Sequence, residues 1–414
     1  MKKGFTLVEL LAVIVILAVI LVIAIPQVLK AVDNSRTKAY IKNEQMVANV
    51  AKTYLASNSG KAPSEIGETL FIDLGDLQEE NLIGQIIDVR NKHTMCTGYV
   101  AITKIDINDY DYQTFINCGD NYQTEGYENL IIIDVLVVAG GGGGGRHVAG
   151  GGGSGGLIYK TNVPVRFVNP VSIYVGNGGN GADRTGTGGI PSSRGEDSIF
   201  GDLIAIGGGR GAAYNTSGGE GGSGGGAGST GSSAAPDGVL LGGDSVIGQG
   251  HKGGGADFLS TGTNHGAGGG GAGASGGYGK LGYQEGGAGL YFGDLFTEEY
   301  GDSGWFAGGG GGGRRGQNPS VPGGIGGGGN GGGGESGGIG VDAMINTGGG
   351  GGGGGFILID EEWIDAGGAG GSGIILIRYP GPQRANGGIV STFNGYTIHA
   401  FTEVGESIFE VLEF

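Results

Sequence analysis

Leu11 to Ile25 is apolar without interruption and closes at Pro26. Counted from Phe5 the segment is 21 residues long, about 31 Å as a helix, enough to cross a bilayer core. Past Pro26 the pattern changes to spaced apolar positions: Val28, Ala31, Val32, Ala39, Met46, Val47, Val50, Ala51, Tyr54 and Leu55. This is helical periodicity with polar residues between, and Asn58-Ser59-Gly60 is the predicted stop. Pro26 is expected to bend this helix rather than end it. From 61 to 130 the runs shorten. Thr69–Leu74 and Ile86–Val89 read as strands, with a short helix over Leu74–Leu82. Cys96–Ile102 and Tyr112–Cys118 read as a hairpin whose loop is Asp106–Asp111. From Leu130 onward, apolar islands alternate with glycine: Leu130–Val138, Leu157–Tyr159, Val171–Val175, Phe200–Ile206, Val239–Leu241, Phe356–Ile359 and Gly373–Tyr379. Ile389-Val390, Gly395–Phe401 and Ser407–Phe414 follow. These islands predict strands forming a compact base from which glycine segments project.

Composition sharpens the last region. Of 105 glycines, 91 fall within residues 139–372, far above the usual ~7% of a chain. A flexible linker is one explanation. Interleaved apolar islands argue instead for order, because side-chain-free threefold helices can approach closely and hydrogen-bond to one another. The formal net charge of −17 speaks against nucleic acid as a partner, since phosphate binding needs a basic face. The two cysteines, Cys96 and Cys118, flank the predicted hairpin. A disulfide there would staple a domain too small to bury much core, the alternative being two free thiols.

The first residues carry the most specific signal. Met-Lys-Lys-Gly-Phe-Thr-Leu-Val-Glu-Leu leads into the apolar run, and Ile25-Pro26-Gln27 offers no small-residue cleavage site of the secretory kind. GFTLVEL resembles the class III leader of type IV pilins and type II secretion pseudopilins. The resemblance implies cleavage after Gly4 by a prepilin peptidase and methylation of the new N-terminal Phe5. Glu9 is a carboxylate inside an apolar helix, which is costly unless it lies near the interface and stays hydrated. The resemblance implies a different role, pairing with the N-terminal amine of a neighbouring subunit during filament assembly, with Pro26 shaping the packing helix. Lys2 and Lys3 precede the span while Lys30, Arg36 and Lys38 follow it, so charge leaves orientation open. The resemblance places the C-terminus outside a cytoplasmic membrane, then on the cell surface after assembly.

These readings define an α+β chain. A leader (1–4) precedes a membrane or filament-core helix (5–25) and its amphipathic continuation (26–60). A small head resembling Gram-positive pseudopilin heads (61–130) is followed by an all-β glycine-rich domain (131–414) with room for polyglycine-II helices. Asp134–Gly143, Val171–Gly179, Ser372–Tyr379 and Tyr396–Thr402 resemble the glycine-rich domains of phage tail-tip adhesins. In that arrangement the residues between glycine segments face outward. Arg146, His147, Arg184, Tyr214, Asn215, His251, Lys252, Tyr291, Phe292, Trp305, Phe306, Arg314 and Arg315 are the candidate recognition residues, with packing the favoured role for Phe258, Tyr291 and Phe292.

Catalytic chemistry is not expected. The many Gly-x-Gly-x-x-Gly matches lack a strand–loop–helix context, and Gly279-Lys280 is followed by Leu281 rather than Ser or Thr. His93, His147, His251, His265 and His399 show no metal-ligand spacing. Gly178–Asp183 and Gly337–Asp342 are isolated copies of a calcium-repeat pattern that needs tandem copies. The Asp106–Asp111 loop reads as a solvated hairpin tip, with calcium binding the lesser alternative. No cofactor is expected. The functional expectation is a minor or tip subunit of a type IV pilus-like filament displaying an adhesive domain. Its implied partners are the prepilin peptidase, the platform protein and its assembly ATPase, other pilins, the membrane and an unidentified surface target. Pseudopilins of secretion or competence machines, and a surface protein anchored without polymerising, are the other readings.

Overall fold

The computed structural model describes residues 7–412 apart from 129, 168, 184–189, 231–238, 258–264, 281–282, 317–318 and 360–361. Gly4, Phe5, Arg184, Phe258 and the side chain of Glu9 therefore lie outside the described residues. The chain divides into two compact units, Met1–Ile132 and Ile133–Glu413.

The first unit opens with α1 (Leu7–Ser57), one helix of 51 residues that contains Pro26. Its early turns are exposed, Leu10 to Ile23 presenting apolar side chains outward. Its last turns are amphipathic and bury Tyr40, Val47, Ala51, Tyr54 and Leu55 in the head. The head follows as β1 (Thr69–Asp73), α2 (Leu74–Glu79), β2 (Thr97–Asp106) and β3 (Asp109–Asn117), the strands forming one antiparallel sheet in that order. Asp73 caps α2 by accepting a hydrogen bond from the Gly75 amide at 2.7 Å. Ile72, Leu74, Leu77, Val100, Ile102 and Ile116 face the buried stripe of α1, with a Cys96–Cys118 disulfide in the same core.

Two details of the head differ from the sequence reading. The hairpin strands run on to Asp106 and resume at Asp109, so the predicted loop shrinks to Ile107-Asn108. Ile86–Val89 is not a strand and forms only a single bridge, Ile87 to Met95. The reason lies in Asp88, buried and committed to side-chain and turn hydrogen bonds. It accepts from the Tyr40 hydroxyl, from Asn121 Nδ2 at 2.5 Å and from the Arg90 amide at 2.9 Å. Burial pushes the Asp88 carboxyl upward, but these donors outweigh it and hold it below the usual range. Beside it Tyr122 stacks on Tyr40 at 4.1 Å and donates to Glu44 at 2.9 Å. Burial, then the Glu44 partner, push the Tyr122 hydroxyl up to about 12.

The second unit begins on β4 (Leu130–Val138), then β5 (Leu157–Arg166), β6 (Val171–Val175), β7 (Ser198–Phe200) and β8 (Leu203–Ala205). Three short ribbons and a helical turn come next: β9 (Val239–Leu240) with β10 (Ala256–Asp257), β11 (Leu290–Tyr291), α3 (Gly293–Phe296) and β12 (Trp305–Phe306), then β13 (Ile357–Ile359) with β14 (Glu362–Ile364). The chain closes through β15 (Ile374–Pro380), β16 (Ala385–Asn386), β17 (Ile389–Phe393), β18 (Tyr396–Phe401) and β19 (Gly405–Val411). Two five-stranded sheets result, ordered β17-β18-β15-β4-β5 and β16-β19-β6-β7-β8. Val239–Leu240 and Ile357–Ile359 pair only with their local partners and take no part in these base sheets, because each follows a glycine segment leading away from the base.

In β4 and β15 every position is buried except Asp134 and Arg378, which are directly opposed and half-buried. Their side chains pair at 2.9 Å, and the guanidinium lies over the Tyr396 ring at 4.4 Å. The open edge at β8 is covered by one side chain. Gln249 donates to Ile204 O at 3.0 Å and accepts from the Ile206 amide at 2.8 Å, as a paired strand residue would.

The glycine tract is a lattice of extended rods. Along residues 140–145 the amide partners repeat every third residue. Gly140 and Gly143 donate to Glu196 and Ser193, Gly141 and Gly144 to Gly371 and Gly368, and Gly142 and Gly145 to Gly153 and Gly150. The carbonyls follow the same period, accepting from Gly208 and Gly211, Gly179 and Ala182, and Gly351 and Gly354. One rod thus has six hydrogen-bonded neighbours, the arrangement a threefold polyglycine helix allows. Every backbone group of the rod is satisfied although the rod is buried. Close approach explains the composition: a Cβ on Gly141 would sit 1.9 Å from the Gly349 carbonyl oxygen.

Candidate functional site

Rod polarity decides which residues share a surface. The segments ending at 145, 212, 313 and 354 all run away from β4. Residues 208–211 and 351–354 pair in parallel with 140–145, and 310–313 opposes the antiparallel segment 149–152. Arg146-His147, Tyr214, Arg314-Arg315 and Phe356 therefore emerge at one common end. Asp365, which precedes a returning rod, reaches the same place.

The side chains meet there. His147 stacks on Phe356 with centroids 4.0 Å apart and lies 4.9 Å from Tyr214. The Arg315 guanidinium covers Phe356 at 5.5 Å. Asp365 is buried beneath, its Oδ2 3.7 Å from His147 Nδ1. The turn carrying these groups is tight: His147 and Val148 both adopt the left-handed region, at φ 66° and 51°. For a β-branched residue such as Val148 this costs on the order of 1–3 kcal/mol. It is sustained by burial of Val148 and by hydrogen bonds at both ends of the turn. Arg314 is engaged separately. Its Nη2 and Nε donate to Gln284 Oε1 at 2.7 and 3.1 Å, and Nη1 to Pro319 O at 3.2 Å. Burial, and then the charge of Arg314, hold the neighbouring His265 imidazole below its ordinary value.

The structure divides the predicted recognition set. Arg146, His147, Tyr214, Arg314 and Arg315 share the far end. Trp305 and Phe306 lie at the opposite end, where the chain leaves and re-enters the lattice beside β4. Phe306 is a correction: its side chain is fully buried with Phe296, Leu136, Val138 and Leu376 and cannot meet a target. Lys252 pairs with Asp244 at 2.6 Å. Phe356 and Asp365 were missed. Phe356 carries half of a signal, being the first side chain after a glycine run, as Arg146 is, but the match also needs the two rods to share polarity. That polarity is not in the sequence. Among the described residues no three His, Cys, Asp or Glu side chains gather as a metal-holding group, and the far end presents aromatic faces and guanidinium groups over one buried carboxylate.

The other functional element is α1, whose mean hydropathy reaches 3.1 and whose most apolar stretch is wholly unburied. Comparison with protein families identifies a prokaryotic N-terminal methylation motif at residues 1–25, the leader of type IV pilins. A glycine-rich domain matches residues 118–380. Comparison with curated proteins and with solved structures finds no match.

Proposed function

Because the chain belongs to the glycine-rich domain family and opens with the methylation motif of type IV pilins, we infer that it is a pilin-type structural subunit displaying that domain as an adhesive head. The observation that carries the reading is the leader joined to a single 51-residue helix whose first half is apolar and exposed. Such a helix is stable only in a bilayer or among copies of itself. The chain is held in the cytoplasmic membrane by this helix, with the head outside. The prepilin peptidase cleaves after Gly4 and methylates Phe5, and Glu9 then pairs with the new amine of a neighbouring pilin. A platform protein and its ATPase drive assembly. The second unit, more than twice the length of the first, would crowd a shaft if present at every position, which favours a minor or tip subunit. The role is structural rather than catalytic, and the far end of the rods faces the target.

Glu9→Ala is the first test. It should leave membrane insertion intact and abolish recovery in sheared filaments; filaments that incorporate the variant normally refute the reading. Immunogold labelling of wild-type filaments with antibody to residues 139–372 should decorate the ends. Label along the shaft would make this a major subunit.

A further inference from the structure

At the end of the rods opposite His147, residues 290–306 leave the lattice and return to it. β11 and β12 oppose Tyr291 to Trp305, which sets both rings on one face of the ribbon, centroids 5.4 Å apart at 49°. The Tyr291 ring is fixed. Its hydroxyl donates to Glu298 Oε1 at 2.9 Å, and Gly293 and Gly304 make room beneath it. A Cβ on Gly293 would fall 2.5 Å from the Tyr291 hydroxyl oxygen, and one on Gly304 2.9 Å from its Cε2.

Asp294 and Glu298 are exposed, and neither forms an ion pair with a Lys or Arg among the described residues. Both act on the ring: the hydrogen bond to Glu298, then burial, then the charges of Glu298 and Asp294 raise the Tyr291 hydroxyl above its ordinary value. Asp302, in the same loop, is spent on the Gly326 and Gly327 amides at 3.0 and 3.2 Å.

We propose that the Tyr291–Trp305 face, with Asp294 and Glu298, is a docking site for a lysine or arginine side chain of a protein partner. The face and a cationic side chain are complementary. Partly exposed indole and phenol faces attract a cation through their quadrupoles. Two uncompensated carboxylates add attraction that an acidic chain of −17 does not satisfy internally, and the fixed Tyr291 ring means little rotamer freedom is lost on binding. This surface is separate from the far-end residues, so it does not depend on where the adhesive target binds.

The test is calorimetric titration of the full chain in detergent micelles with an oligolysine peptide, an oligoglutamate peptide and a neutral oligosaccharide. Oligolysine alone should bind. Trp305→Ala should weaken it about tenfold, and Trp305→Phe, which keeps a ring, should restore most of the affinity. The pair Asp294→Asn and Glu298→Gln should weaken binding, while Glu403→Gln with Glu410→Gln, which removes equal charge elsewhere, should not. Equal weakening by both charge pairs with no effect of Trp305→Ala would show diffuse attraction and overturn the proposal. So would oligosaccharide binding that depends on Trp305. If Trp305→Ala fails to fold, the two charge pairs decide the matter by themselves.

Discussion

Adding one methyl group to the central rod should be among the most damaging small changes available to this protein. In Gly141→Ala the new Cβ falls 1.9 Å from the Gly349 carbonyl oxygen and 2.9 Å from that of Gly348. Both obstacles are backbone, so the rods must part by more than an ångström. Parting them breaks the bonds from the Gly351 and Gly354 amides to Gly142 O and Gly145 O, and strains that from Gly141 to Gly371 O. At about 1 kcal/mol for each bond, with ~1–3 kcal/mol for buried groups left unpaired, the loss is about 3–5 kcal/mol. Reduced freedom of the unfolded chain returns less than ~1 kcal/mol. For a unit of this size that is a drop of about 5–8 °C in melting temperature. Scanning calorimetry of the second unit's transition in the full chain measures it. Gly84→Ala lies in the first unit, where nothing is within 4 Å of its Cβ position, so it should leave this transition where it is and cost the first unit no more than ~0.5 kcal/mol. If Gly141→Ala melts within a degree of the unmodified chain, the glycines are not there to permit close approach and the lattice argument is wrong.

Two further outcomes follow from buried polar groups. His399 is fully buried, Nε2 within 2.9 Å of the Tyr379 hydroxyl and Nδ1 within 2.7 Å of Gly387 O. Burial holds it below its ordinary value, the Gly387 bond opposing weakly. The unfolded chain therefore takes up a proton near pH 6.5 that the folded chain resists. Stability should be complete above that pH and fall as pH drops below it, and a melting temperature flat from pH 8 to 5 would contradict this. Arg378→Ala strands Asp134 in a half-buried site and should cost about 3–5 kcal/mol by denaturant titration. The double change Asp134→Leu with Arg378→Leu should recover most of it; no recovery would mean that the pair does more than neutralise itself.

Much of this architecture was legible in the chain. The apolar run, the spaced stripe from Val28 to Leu55 and the stop at Asn58 determine α1, since a 3.6-residue period and local caps are properties of neighbouring residues. The hairpin and its paired cysteines were legible for the same reason, and so was the strand character of Leu130–Val138 and Ile374–Pro380, runs buried on both faces. The Ile86–Val89 strand failed because Asp88 answers to Tyr40 and Asn121, both far away in sequence. The glycine tract announced close backbone approach but not its arrangement, because a glycine carries no side chain to mark register and one run of six resembles the next. Only the folded lattice, through its three-residue hydrogen-bond period, sets which rods run parallel. That polarity gathers His147, Tyr214, Arg315, Phe356 and Asp365 at one end and leaves Trp305 at the other.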